Sequence, residues 1–135
     1  MSDSCVMDEQ AAADAAVSVL LALLTGTNLA HDVGYLEAGL TTSPEMIVFT
    51  AEVIGMMRRF AAGVALDAES LALDVIHAVG PGGDFLSTDH TMAHFRAFWE
   101  PTLWARERAD DWIAAGERRL GERLRERTLD LMAGP

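Results

Sequence analysis

At 135 residues and 50% hydrophobic, the chain can bury one domain-sized core, and its formal net charge of -11 argues against nucleic acid, whose phosphates need a basic face. No apolar run approaches the roughly 20 residues that span a bilayer, and MSDSCVMDEQ lacks the basic n-region and apolar stretch of a secretory signal, so the reading is a soluble, cytoplasmic protein with no membrane partner. The lone Cys5 can form no internal disulfide, in keeping with a reducing compartment.

Asp8 and Glu9 open a helix in which Val17, Leu20, Leu21 and Leu24 fall at i, i+3, i+4 and i+7, predicting a buried face that ends at Gly26. The stretch from Thr27 to Val33 is too short for another helix and is read as a strand running into the loop GYLEAGLTT. Ser43 as N-cap, Pro44 at the first helical position and Glu45 in the first turn start a second helix, with Met46, Val53, Met57 and Phe60 as its stripe towards Gly63. A third starts at Asp67, carries Ala72, Val75, Ile76 and Val79 on one face, and stops at GPGG. A fourth runs from Thr88 to Trp99, before Pro101. From Arg106 to Met132 the pattern is helical again, with Trp112, Leu120, Leu124 and Leu131 apolar, and Gly116 and Gly121 as points that bend or split it.

Charge divides the chain. Residues 1–105 hold 14 acidic side chains against Arg58, Arg59 and Arg96, whereas residues 106–135 hold seven of each sign in alternation, the pattern of a solvated helix face. The expected fold class is mainly α as the chain stands, with about five helices and one or two strands. One strand cannot satisfy its own backbone polar groups, and a helix–strand–loop–helix order normally belongs to a parallel sheet with neighbours on both sides.

Three blocks in order, SDSCVMDEQAA, TGTNLAHDVGYLEAGLTTSPE and ALDVIHAVGPGGDFLSTDHTMAHFR, resemble the C-terminal part of the trimethylamine methyltransferase family over nearly the whole chain. The resemblance implies a (β/α)8 barrel that passes a methyl group from trimethylamine or a related methylated or quaternary amine to the cobalt of a separate corrinoid protein. Such a barrel needs ~250 residues or more, so residues 1–64 are expected to form its last units and residues 65–135 a C-terminal helical region. The implied partners are the corrinoid protein, the amine, and the remainder of the barrel or a further copy of the chain; the corrinoid is carried by its own protein and none is bound here. Members acting on methylamines carry a pyrrolysine encoded by an amber codon, and the resemblance places it just upstream of Ser2. Met1 stands at that boundary, so the catalytic residue is expected outside this chain, and an amber codon read as a stop would yield a chain starting here. The family pattern has a basic residue where this chain has Cys5 and proline where it has Met7.

Candidate substrate-binding residues are His31, Asp32, Tyr35 and Glu37, on the loop that would lie at the catalytic rim, together with Asp3 in the first block; carboxylates and an aromatic face suit an ammonium ion. The bland alternative is that Asp32 or Glu37 caps backbone and Tyr35 packs. His90 and His94 are spaced i, i+4, but HTMAH lacks the Glu of the HEXXH pattern and shows no third ligand, so no metal site is assigned. Cys5 has no visible base to make it a nucleophile. The aromatic group Phe95, Phe98, Trp99 and Trp104 reads as core or docking surface. The runner-up function is a non-catalytic helical association module, or a truncated remnant, of the same family.

Overall fold

A computed structural model describes residues 1–134. It is mainly helical. The chain forms two compact units, the first comprising Met1–Ala61 together with the stretch from Pro101 onward, the second Ala62–Glu100.

In the first unit, α1 spans Glu9–Leu24, with the Asp8 carboxylate accepting from the Ala11 amide as its N-cap. α2 spans Pro44–Ala61 and starts as expected, with the Ser43 hydroxyl accepting from the Met46 amide at 3.2 Å. Pro44 occupies a position where no amide proton is needed, and Arg58 and Arg59 in the last turn oppose the negative helix end. The helical stretch expected from Arg106 to Met132 is split, as Gly116 allowed: α6 spans Ala109–Ala114 and α7 Leu120–Ala133. The break is at Gly116, where φ is +90, a value natural only to glycine. Gly121 lies inside α7.

The core is Ala11, Ala15 and Val19 of α1, Met46, Phe49 and Val53 of α2, Leu36, Leu103, and Leu124 of α7. The face of α1 that is buried is therefore not the one its large side chains predict. Val17 and Leu21 are more than half exposed and Leu24 is exposed. The small side chains of Ala11 and Ala15 admit the bulk of α2, which a leucine face would hold at a distance. On α2, Met46 and Val53 are buried as expected, but Phe60 at the far end is exposed.

No strand forms over residues 27–33. Instead, β1 (Tyr35–Leu36) pairs antiparallel with β2 (Thr41–Thr42), Tyr35 opposite Thr42 and Leu36 opposite Thr41, with a 3-10 turn at Glu37–Gly39 between them. The expected strand had no neighbour; the residues after Gly34 have two. One is β2. The other is the N-terminal segment, where the Ser2 amide donates to the Tyr35 carbonyl at 3.0 Å, the Ala38 amide to the Ser2 carbonyl at 3.1 Å and the Glu37 amide to the Ser4 carbonyl at 2.9 Å.

A carboxylate closes the first unit. Both oxygens of Glu52, on α2, accept from Thr102, from its amide at 2.6 Å and its hydroxyl at 2.8 Å, and the Leu103 amide adds a bond at 2.9 Å. Arg123 of α7 donates from Nε to the Leu103 carbonyl at 2.9 Å, so this arginine holds backbone, while Arg118 pairs with Glu126 in the solvated manner expected of the segment.

In the second unit, the expected third helix is broken at Ala72, whose left-handed backbone (φ 47, ψ 37) separates α3 (Ala68–Leu71) from α4 (Leu73–Val79). α5 spans Asp89–His94, capped by the Thr88 hydroxyl, and stops short of the expected Trp99. No residue from 62 to 100 is fully buried. Among the described residues, no helix is long and apolar enough to cross a membrane.

Candidate functional site

The sequence candidates fall on the N-terminal segment and the hairpin that it borders. Ser2 is 2% exposed and Ser4 7%, unusual burial for hydroxyl side chains, and both are satisfied. The Ser2 hydroxyl donates to Asp14 at 2.7 Å and accepts from the Ser4 amide at 3.0 Å; the Ser4 hydroxyl donates to the Val6 carbonyl at 2.9 Å. With both serines held inward, Asp3 between them is turned to solvent.

Asp3 and Asp14 line one open cleft of about 300 Å³, with Val17 and Ser18 of α1 on its wall. Two carboxylates beside apolar surface make an electrostatically negative pocket that suits a cation with an apolar shell. Asp14 was not singled out from sequence: it lies mid-helix among alanines, and only the fold brings Ser2 and Asp3 to it. His31, Asp32, Tyr35 and Glu37 are not part of this cleft's lining.

Those four occupy the hairpin side. His31 Nδ1 lies 2.6 Å from Asp32 Oδ2, with the imidazole largely exposed. Asp32 has φ 62, and Glu37 and Ala38 have φ 49 and 52, so three residues without glycine's freedom hold left-handed backbone within seven positions. The Glu37 carboxylate accepts from the Thr41 hydroxyl at 2.6 Å, across the turn. Tyr35 is 38% exposed, and its ring is free of the core. Gly34 is required: its φ is +91, and a Cβ there would collide with Ile47 of α2. The structure thus brings Asp3 next to the Tyr35–Ala38 backbone, and pairs His31 with Asp32.

A second opening, about 680 Å³, lies among Met7, Asp8, Phe49, Leu120 and Glu122. Two of its carboxylates are used locally: Asp8 caps α1, and the Glu122 carboxylate accepts from the Arg119 amide at 2.7 Å. Trp104 packs near Phe49, ring centres 6.3 Å apart. In the second unit, Phe95 and Phe98 are exposed, and the His94 Nε2 atom lies 3.1 Å from a Glu69 carboxylate oxygen, with His90 Nε2 2.9 Å from the Glu69 carbonyl. Among the described residues, no group of three or more His, Cys, Asp or Glu side chains could hold a metal ion. Cys5 is a free, exposed thiol.

The profile of the family described as Trimethylamine methyltransferase (MTTB) matches residues 1–135. The chain belongs to the trimethylamine methyltransferase family. A trimethylamine methyltransferase MttB from Desulfitobacterium hafniense is 33% identical over 130 residues, 96% of this chain and 26% of that protein. A glycine betaine methyltransferase from another strain of the same species is 37% identical over 114 residues, 83% of this chain and 24% of the relative. Trimethylamine methyltransferase MttB1 of Methanosarcina mazei is 33% identical over 131 residues, again 26% of its length. The chain therefore spans about a quarter of the curated relatives it matches, and the resemblance of its three sequence blocks is a family membership. Relatives named for trimethylamine and for glycine betaine match it to a similar degree, so similarity to this segment does not distinguish those two amines.

Proposed function

We propose that the chain is the C-terminal portion of a (β/α)8-barrel methyltransferase that takes a methyl group from trimethylamine or a related methylated or quaternary amine and passes it to the cobalt of a cytoplasmic corrinoid protein. The observation that carries this reading is the family match along all of the chain, with relatives that are methyltransferases by name. Matches that run through whole methyltransferase segments favour it over a non-catalytic association module.

In this reading the corrinoid is carried by the partner protein, as the family resemblance implies. The contribution of this segment is orientation and electrostatics. Asp3 and Asp14 supply negative potential at an open cleft, and Tyr35 and Glu37 extend polar and aromatic surface along the neighbouring hairpin. The loop from His31 to Thr42 is assigned to the barrel rim on the family resemblance alone, since no strand among the described residues leads into it. The ammonium charge is held at the Asp3–Asp14 cleft.

The test is to insert this chain in place of the matching segment of the Desulfitobacterium hafniense trimethylamine methyltransferase and to measure, with corrinoid protein present, demethylation of trimethylamine and of glycine betaine. Turnover of either amine, with KM raised severalfold and kcat little changed in Asp3→Asn, supports the reading. A folded chimera that demethylates neither amine overturns it.

A further inference from the structure

The part of α1 beyond Asp14 carries no charge, and none appears before Asp32. Ala15 and Val19 already face α2, yet Val17, Leu21 and Leu24, at i, i+4 and i+7 on another face, are 55%, 54% and 67% exposed. A helix that is apolar all round belongs inside a core covered from both sides, and a contiguous exposed stripe marks a surface that something else covers.

We infer that the Leu21–Leu24 end of this apolar stripe, beyond the cleft wall at Val17, is the seam on which the remaining, unmatched portion of the methyltransferase packs. The inference rests on the functional reading above. Length argues for that occupant: the chain makes up 26% of a relative that it matches along 96% of its own residues. Charge argues against two others, because a chain of net charge -11 is repelled by anionic lipid and by nucleic acid, and the stripe offers no basic group to either. Nor can α1 roll over to hide the stripe. Its alanine face fits closely against Met46, Phe49 and Val53, all buried, and turning Leu21 and Leu24 inward would overfill that contact.

The same chimera tests this, with Leu21→Asp and Leu24→Asp read in two contexts. In the isolated chain both substitutions sit in water and should leave the melting midpoint unchanged. In the chimera an unpaired carboxylate enters an apolar seam, and the folded-to-unfolded ratio should fall by more than about tenfold. As a readout that does not require a destabilised protein, Leu21→Cys in a Cys5→Ser background should react with maleimide in the isolated chain and be protected in the chimera. Asp variants as silent in the chimera as in the chain, with Leu21→Cys equally reactive in both, would overturn the seam while leaving the methyl-transfer assay to judge the function by itself. An isolated chain that is a dimer by light scattering, and a monomer with Leu21→Asp, would overturn it in favour of a second copy.

Discussion

The Ser2 hydroxyl donates to the Asp14 carboxylate at 2.7 Å, fastening the first residues of the chain to the second turn of α1. The same oxygen accepts from the buried Ser4 amide. Replacing Ser2 by alanine leaves that amide without its acceptor and should destabilise the chain by about 1–3 kcal/mol in urea unfolding. Asp14→Ala in the same background should add less than it does alone, since the two groups share one bond. Fully additive losses would mean that the pair is not coupled.

Two helix caps set the acid limit. The Asp8 carboxyl is held below the usual carboxylate value first by the Ala11 amide, and Asp67 by the Ser70 amide. A carboxyl with a folded pKa below its unfolded value near 3.8 stabilises the fold at every pH above that value, and the contribution is lost as pH falls through the lowered folded pKa. Stability measured from pH 7 downward should therefore hold until about pH 4 and then decline, and Asp8→Asn with Asp67→Asn should make the decline shallower. An unchanged acid limb in the double variant would contradict the assignment.

Gly34 fixes the distance between the hairpin and α2. Gly34→Ala places a methyl group against Ile47 at a φ of +91, and should cost more than about 1 kcal/mol. Ile47→Ala, whose parent side chain is 44% exposed, should recover the steric part and leave the backbone part. Complete recovery would show that the left-handed backbone carries no cost there.

Burial separates two residues of the same helix. Met46 is fully buried, so Met46→Ala should lose about 2–5 kcal/mol, whereas Phe60 is 68% exposed and Phe60→Ala should stay within about 0.5 kcal/mol. Equal effects in thermal denaturation would mean that α2 is packed on a different face.

Glu52→Ala removes the acceptor of three hydrogen bonds and should cost about 1–3 kcal/mol, while Glu52→Gln, which keeps one carbonyl oxygen, should cost less. Hydrogen exchange at the Thr102 and Leu103 amides should accelerate in both, most in the alanine variant.

Local signals were legible where one residue settles a local geometry. Asp8 and Ser43 cap the helices they were expected to cap, and Gly116 breaks the last one. Tertiary preferences were not. Ala72 breaks a helix although alanine is the best helix former, and nothing local marks it. The buried face of α1 is set by how closely α2 can approach, which the heptad pattern of α1 alone does not encode. Residues 27–33 were read as a strand because they are too short for a helix, but they have no partner strand, and pairing fell to Tyr35–Leu36, which has two neighbours. At the candidate site the hairpin residues were singled out by their place in the resemblance, whereas Asp14 enters only through the fold, since twelve positions separate it from the Ser2 hydroxyl that reaches it.

The Glu52 clamp also governs what the intervening chain may become. It joins residues 50 and 51 positions apart, and the entropy of closing such a loop grows only with the logarithm of its length. Lengthening or shortening the segment between α2 and Thr102 by several residues therefore changes the closure penalty by only a few tenths of a kcal/mol. The first unit is insulated from such changes, so this is where a reporter could be inserted with least damage to α1, α2 and α7.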